Sequence, residues 1–113
     1  LADGRIEMDF PVDAPEACAA PPGLAALLGV TPSWTGRSRF DWFVELADEA
    51  ALCALAPDAR AVAALGLRGL IVTARASADS GHDFTSRFFA PQSGVPEDHV
   101  TGSAHCALAP YWC

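Results

Sequence analysis

Residues 97–105 hold the side chains of this sequence that are best able to do chemistry. Two acids, two histidines, a threonine, a glycine and a serine fall within these nine positions, directly before a segment of small apolar residues. The front of a helix offers unpaired amide donors and the positive end of the helix dipole, so Gly102 and Ser103 can hold a carboxylate or an enolate oxygen. Asp98, just before that helix, is then the candidate proton carrier.

A purely structural interpretation of the same residues stays open. Asp98 or Thr101 can serve as the N-cap of the helix and nothing more, because both residue types are preferred there. His105 is expected to be a core histidine with its hydrogen bonds satisfied rather than a base. A metal site is not predicted, since His82, His99 and His105 show no spacing typical of metal ligands.

A serine hydrolase is excluded by the geometry of the predicted helix. Ser103 and His105 are two positions apart, and residues at that separation point about 200° apart around a helix. His105 therefore cannot activate the Ser103 hydroxyl. The segment also lacks the Gly-x-Ser-x-Gly elbow that exposes such a nucleophile.

The elements that must position these residues are a helix and two buried strands. Small apolar residues at 102–109 predict a buried helix whose start is enclosed by the rest of the fold, and the turn-rich stretch 92–101 before it predicts a loop. Residues 69–74 and 83–90 are rich in branched or aromatic side chains and predict strands, joined by a polar loop at 77–82.

Further elements are predicted upstream by alternation and by capping residues. Strands are expected at 5–10, after the hairpin signal Asp3-Gly4, and at 39–46, where Glu45 is expected to be a solvated side chain. Asp48 predicts the N-cap of a helix at 49–55. The other predicted elements are helices at 23–28 and 58–65, each followed by a glycine, and a proline-rich linker at 11–23.

Composition excludes several classes of protein. The chain has 113 residues and a formal net charge of −7, and all seven of its basic residues are scattered arginines, so nucleic-acid binding is not expected. No apolar run approaches the ~18 residues that span a bilayer, and residues 1–5 are no signal peptide, which predicts a soluble, cytoplasmic protein without a membrane partner. Four cysteines without paired spacing predict reduced, mostly buried thiols.

Two segments near the C-terminal end resemble one known family. They are DFTSRFFAP at 83–91 and GVPEDHVTGSAHCALAPYW at 94–112. Together they look like the signature of the PhzF family of phenazine-biosynthesis-like isomerases and epimerases, and residues 8–11 and 69–74 fit that family more loosely. The resemblance covers nearly the whole chain.

The resemblance implies an α+β fold of the diaminopimelate-epimerase type, in which each of two lobes is a sheet curled around a central helix. It also implies acid–base proton transfer on a small carboxylated substrate, with no metal and no organic cofactor. The family's catalytic aspartate falls on Asp98, and its substrate-binding glycine and serine fall on Gly102 and Ser103. The helix at 102–112 would be the central helix of the second lobe.

The extent of the chain leads to a further expectation. It begins without Met and stops inside an apolar stretch, and relatives of this family are more than twice as long, so we expect a piece of a longer protein. Residues 1–11 would end the first lobe and residues 12–113 would form part of the second. Such a piece is expected to be inactive alone, because the relay glutamate of the family would lie upstream. Two further interpretations stay open, a non-catalytic small-molecule-binding protein of the same fold and a homodimer.

Overall fold

The computed structural model describes residues 4, 11–98 and 101–112. The strand predicted at 5–10 and the residue Cys113 lie outside the described residues. The described elements, in chain order, are β1 (Glu16–Ala17), α1 (Leu24–Leu28), β2 (Trp34–Arg37), β3 (Asp41–Glu45), α2 (Glu49–Ala54), α3 (Ala59–Ala64), β4 (Gly69–Arg75), β5 (Phe84–Ala90), a 3₁₀ turn (Pro91–Ser93), β6 (Val95–Asp98) and α4 (Gly102–Trp112).

Local signals account for most of the element boundaries. Asp48 Oδ1 accepts a hydrogen bond from the Ala51 amide at 2.7 Å, so the predicted N-cap of α2 is confirmed. α1 ends at Gly29, whose φ of 73° is a left-handed conformation that glycine adopts without strain. Gly66 follows α3 with a φ of 81° and ends it in the same way.

The strands form one mixed sheet in the order β1-β2-β3-β4-β5-β6. Neighbouring strands are antiparallel except β3 and β4, which are parallel with Val44 opposite Val72. A parallel pair needs a long crossover connection, and α2 and α3 form it here. β6 lies at the edge of the sheet beside β5, which brings Asp98 opposite Phe88.

Both faces of the sheet are covered. On one face, α1, α2 and α3 bury a core of aliphatic side chains together with Phe89; its members are Leu24, Leu28, Val44, Leu46, Leu52, Leu55, Val62, Leu70, Val72, Ala74 and Phe89. On the other face, α4 packs on a smaller core, formed by Phe43, Ile71, Phe88, Ala90, Ala104, Ala107 and Leu108. Successive residues of a strand point to opposite faces, which is why β3 supplies Phe43 to one core and Val44 to the other.

The C-terminal end of α4 is tied to the sheet by polar contacts as well as by packing. The Tyr111 hydroxyl donates to Glu45 on β3, and Trp112 Nε1 donates to Thr73 Oγ1 on β4 at 3.1 Å. Burial and the hydrogen bond to Glu45 raise the pKa of Tyr111. The expectation that Glu45 is only a solvated side chain is therefore wrong, because Glu45 is half-buried and its carboxylate accepts a hydrogen bond from the Tyr111 hydroxyl.

Several predictions need correction. Strands β1, β2 and β6 lie where no strand was predicted. β1 falls within the linker expected at 11–23, and β6 replaces part of the loop expected at 92–101. Residue types predicted a helix at 102–109, but α4 continues through Pro110 to Trp112, the end that the family resemblance implies. The described cysteines are free as predicted, but they are not mostly buried, since Cys53 is exposed and Cys18 and Cys106 are half-buried.

Within residues 11–98 and 101–112, no helix has both the length and the apolar character needed to cross a bilayer.

Candidate active site

Asp98 is the last residue of strand β6, four positions before the start of α4 at Gly102. Its carboxylate is half-buried, and its Oδ2 accepts a hydrogen bond from the Thr101 hydroxyl at 2.6 Å. The sequence placed Asp98 in a loop before the helix. The structure instead makes it the last residue of a strand, so hydrogen bonds to β5 hold its backbone.

The Asp98 side chain lines a cavity of about 150 Å³ between β5 and the first two turns of α4. We call this space the Asp98 cavity; its lining residues are Ile71, Ser86, Arg87, Phe88, Asp98, Thr101, Ala104, His105 and Leu108. Its lining combines the apolar residues of β4, β5 and α4 with the polar residues named above. An apolar pocket with a few convergent polar groups is the usual form of a small-molecule site.

His105 belongs to this wall and not to the core. The residue is exposed, its Nδ1 lies 3.0 Å from the Thr101 carbonyl oxygen, and its ring centroid lies 6.2 Å from that of Phe84. The expectation of a core histidine is therefore wrong, although the predicted hydrogen bond exists. The sequence signal for this placement was available, because Thr101 and His105 are four positions apart and share a helix face.

Ser103 lies on the opposite side of α4. At about 100° per residue, Thr101 and His105 share one face of the helix, whereas Ser103 and Cys106 share the other. Ser103 and Cys106 line a second cavity of about 140 Å³, whose other lining residues are Pro11, Val12, Asp13, Arg39, Phe40 and Arg68. The side chains of Asp98 and Ser103 thus flank the helix front from two sides, and Ser103 is not within reach of His105.

The front of α4 is open in the described structure. Gly102 and Ser103 are exposed, which corrects the expectation that the start of the helix is enclosed. The first turn of this 11-residue helix contains no acidic side chain. An anion approaching the exposed residues Gly102 and Ser103 therefore meets no carboxylate from that turn.

Arg87 positions the strand that ends on Asp98, and sequence reasoning missed it. Its guanidinium donates to Glu97 at two points, Nε to Oε2 and Nη2 to Oε1, both at 2.9 Å. The Nη1 atom donates to the carbonyl oxygens of Leu52 and Leu55 at the end of α2, at 2.9 and 2.7 Å. The hydrogen bonds to Glu97 raise the pKa of Arg87. Arg87 is thus a fixed structural cation that joins β5, β6 and α2.

No group of histidine, cysteine or acidic side chains that could hold a metal ion occurs in the part of the chain that the structure describes. Of the three histidines considered as ligands above, His99 lies outside that part.

The mixed sheet with helices on both faces makes this an α+β domain. The Asp98 carboxylate, which lines a cavity beside the front of α4, makes that cavity a candidate acid–base site. The family model of phenazine biosynthesis-like proteins, PhzC-PhzF, matches residues 4–113. The chain belongs to this family, and the resemblance to it is confirmed.

Relatives and solved structures agree with this assignment. An uncharacterised isomerase of Pseudomonas aeruginosa is 47% identical over 107 residues, and one of Halalkalibacterium halodurans is 44% identical over 108 residues. Each of these matches covers 95% of this chain and 40% of the relative. The crystal structure of a PhzF family protein of Enterococcus faecalis superposes with a TM-score of 0.82 at 40% identity, covering 91% of this chain and 38% of that one.

These comparisons have two consequences. The predicted fold class, an α+β fold of the diaminopimelate-epimerase type, is confirmed. The assignment of α4 as the central helix of a second lobe stays a prediction. The chain spans about 40% of the length of these curated relatives. Its sequence therefore corresponds to part of a protein of their length.

Proposed function

We propose that this chain contributes one wall of the active site of a PhzF-type isomerase. The reaction is the transfer of a proton between carbon atoms of a small carboxylated substrate, without a metal or an organic cofactor. The observation that carries the proposal is the position of the Asp98 carboxylate, on the wall of a cavity next to the open front of α4. Two bacterial relatives carry the name isomerase, and this name supports the reaction class.

Each of the predicted site residues has a role in this proposal. The amides at Gly102 and Ser103 hold the substrate carboxylate or the oxygen of an enolate, because the helix front stabilises negative charge. The Asp98 carboxylate takes the proton when the C–H bond breaks, and the electron pair of that bond passes into the enolate. The proton then returns to a different carbon, which completes the isomerisation without any redox change.

Proton transfer of this kind needs groups on two opposed walls of a dry pocket. The described structure supplies Asp98 and the helix front, and both are accessible from outside. The family resemblance assigns the opposing acid, a glutamate, to the other lobe. We therefore propose that the 113-residue chain by itself gives no turnover and that a chain of the relatives' length does.

The remaining expectations belong to the same proposal. A small carboxylated molecule is the ligand, and nucleic acid is not, because the net charge of −7 repels phosphate. The protein acts in the cytoplasm, and a homodimer is compatible with the position of β6 as the last strand of the sheet among the described residues.

Exchange with solvent deuterium tests the reaction class without knowledge of the substrate. A protein of the relatives' length is incubated in D₂O with a panel of small carboxylic acids that have an acidic C–H bond, and mass spectrometry measures deuterium incorporation. The proposal predicts incorporation into at least one acid, and none with the 113-residue chain. Tight binding of a panel acid without incorporation would instead support the second interpretation, a non-catalytic binding protein of the same fold.

A further inference from the structure

Thr101 contacts two of the titratable residues that line the Asp98 cavity, Asp98 at the end of β6 and His105 on α4. Its hydroxyl donates to Asp98 Oδ2 at 2.6 Å, and its carbonyl oxygen lies 3.0 Å from His105 Nδ1. Thr101 itself is half-buried and lines the same cavity. One residue therefore holds the carboxylate and the imidazole through two different atoms.

The contact between Thr101 and His105 determines which nitrogen of the ring carries hydrogen. A carbonyl oxygen can only accept, so Nδ1 must be the donor. In the neutral ring the other nitrogen, Nε2, then has a lone pair and acts as a hydrogen-bond acceptor. In that tautomer His105, which lines the Asp98 cavity together with Asp98, can accept a hydrogen bond from a ligand.

We infer that Thr101 is the positioning residue of this cavity and that His105 is a second ligand-contacting residue in it. Thr101 keeps the Asp98 carboxylate in one orientation, and it selects the Nδ1–H tautomer of His105. The inference rests on the proposed function for the role of Asp98, but the state of the His105 ring does not depend on it. A ligand that fills the cavity is expected to give a hydrogen to Nε2.

Arg87 is the other charged residue among those that line the cavity. Arg87 directs its guanidinium to Glu97 and to the carbonyl oxygens at the end of α2. A hydroxyl has one hydrogen, and Thr101 gives that hydrogen to Asp98. The hydroxyl therefore acts on the orientation of Asp98, in addition to any effect of the residue on the start of the helix.

The first test measures the His105 ring directly. Long-range ¹H–¹⁵N spectra of the ¹⁵N-labelled protein at neutral pH report which imidazole nitrogen is protonated. We expect the Nδ1–H tautomer in wild type and also in Thr101→Val, which keeps the carbonyl oxygen. An Nε2–H tautomer in the wild type would overturn the inference whether or not the protein is an isomerase.

The second test uses the panel acid that exchanges deuterium fastest. Thr101→Val removes the hydroxyl at nearly constant volume and should lower kcat by about 10-fold or more, with little change in KM, because Asp98 loses a hydrogen bond that orients it. Thr101→Ser restores the hydroxyl and should recover most of the rate. A Thr101→Val protein with wild-type kcat, or a Thr101→Ser protein as slow as Thr101→Val, would contradict the positioning role. If no acid exchanges in wild type, the proposed function fails while the tautomer test still decides the state of His105.

Discussion

Arg87 and Glu97 form a two-point ion pair, with both N–O distances at 2.9 Å, that joins β5 to the edge strand β6. The strand β6 ends on Asp98, one residue after Glu97. The same guanidinium also holds the end of α2 through two carbonyl oxygens. The position of the candidate catalytic carboxylate therefore depends on a cation that lies outside the motif around it.

Replacing Arg87 should destabilise the fold more than replacing its ionic partner. Arg87→Met removes the donors of two main-chain carbonyl groups as well as the ion pair, and we expect a loss of about 2–3 kcal/mol in the free energy of unfolding. Glu97→Gln should cost about 1 kcal/mol or less, because the Glu97 side chain is 36% exposed and water screens the pair. Urea denaturation measures both, and an equal loss in the two variants would contradict this assignment of roles.

In the ion pair of Arg68 and Asp41, replacing the arginine should cost more stability than replacing the aspartate. Arg68 donates to Asp41 from Nε and Nη2, and the Asp41 side chain is 2% exposed while that of Arg68 is 34% exposed. Arg68→Ala strands a buried carboxylate and should cost about 2–4 kcal/mol. Asp41→Asn leaves a cation that can reach water and should cost about 1–2 kcal/mol. Chemical denaturation measures the free energy of unfolding of both variants. A larger loss for Asp41→Asn than for Arg68→Ala would contradict the prediction that an unpaired Asp41 carboxylate is the more costly defect.

Tyr111 should make the stability of the chain fall at alkaline pH. Its pKa in the folded state is raised by burial and by the hydrogen bond to Glu45, whereas in the unfolded state it is about 10. The stability that this shift contributes is fully present at pH values below the pKa of the unfolded state. It is lost as the pH rises from there toward the pKa of Tyr111 in the folded state. Tyr111 is the single tyrosine of the chain, so tyrosinate absorbance reports it alone. A titration midpoint near 10 in the folded chain would contradict the buried contact, and Tyr111→Phe should remove the alkaline loss.

Much of the fold could be predicted from local signals. The cap at Asp48 and the glycine after α1 set helix boundaries close to those observed, and apolar runs predicted β4 and β5. β2 and β6 could not be predicted in this way. β2 contains Trp34, Gly36 and two polar residues, and β6 contains Pro96 and two acids, so neither has a clear apolar alternation. Both exist because a neighbouring strand offers hydrogen-bonding partners, and Pro96 is tolerated at the edge of the sheet.

The candidate site could be predicted only in part. The types and order of residues at 97–105 indicated Asp98 and the front of a helix, and the helical period separates Ser103 from His105. The Arg87 contacts join residues 10 to 35 positions apart, and no short-range pattern encodes them. The spacing of Thr101 and His105 was visible in the sequence, whereas no pattern indicated that the Thr101 hydroxyl donates to Asp98.

Deuterium exchange by an Asp98 variant is the most direct test of the central claim, that the Asp98 carboxylate carries the proton. Asp98→Asn keeps the size of the side chain and removes the base, and the matched control Asp79→Asn makes the same change at an exposed position in the loop after β4. In a protein of the relatives' length, the account predicts at least a ~100-fold lower exchange rate for Asp98→Asn, with bound substrate retained, and a wild-type rate for Asp79→Asn. Exchange by Asp98→Asn at the wild-type rate would contradict it.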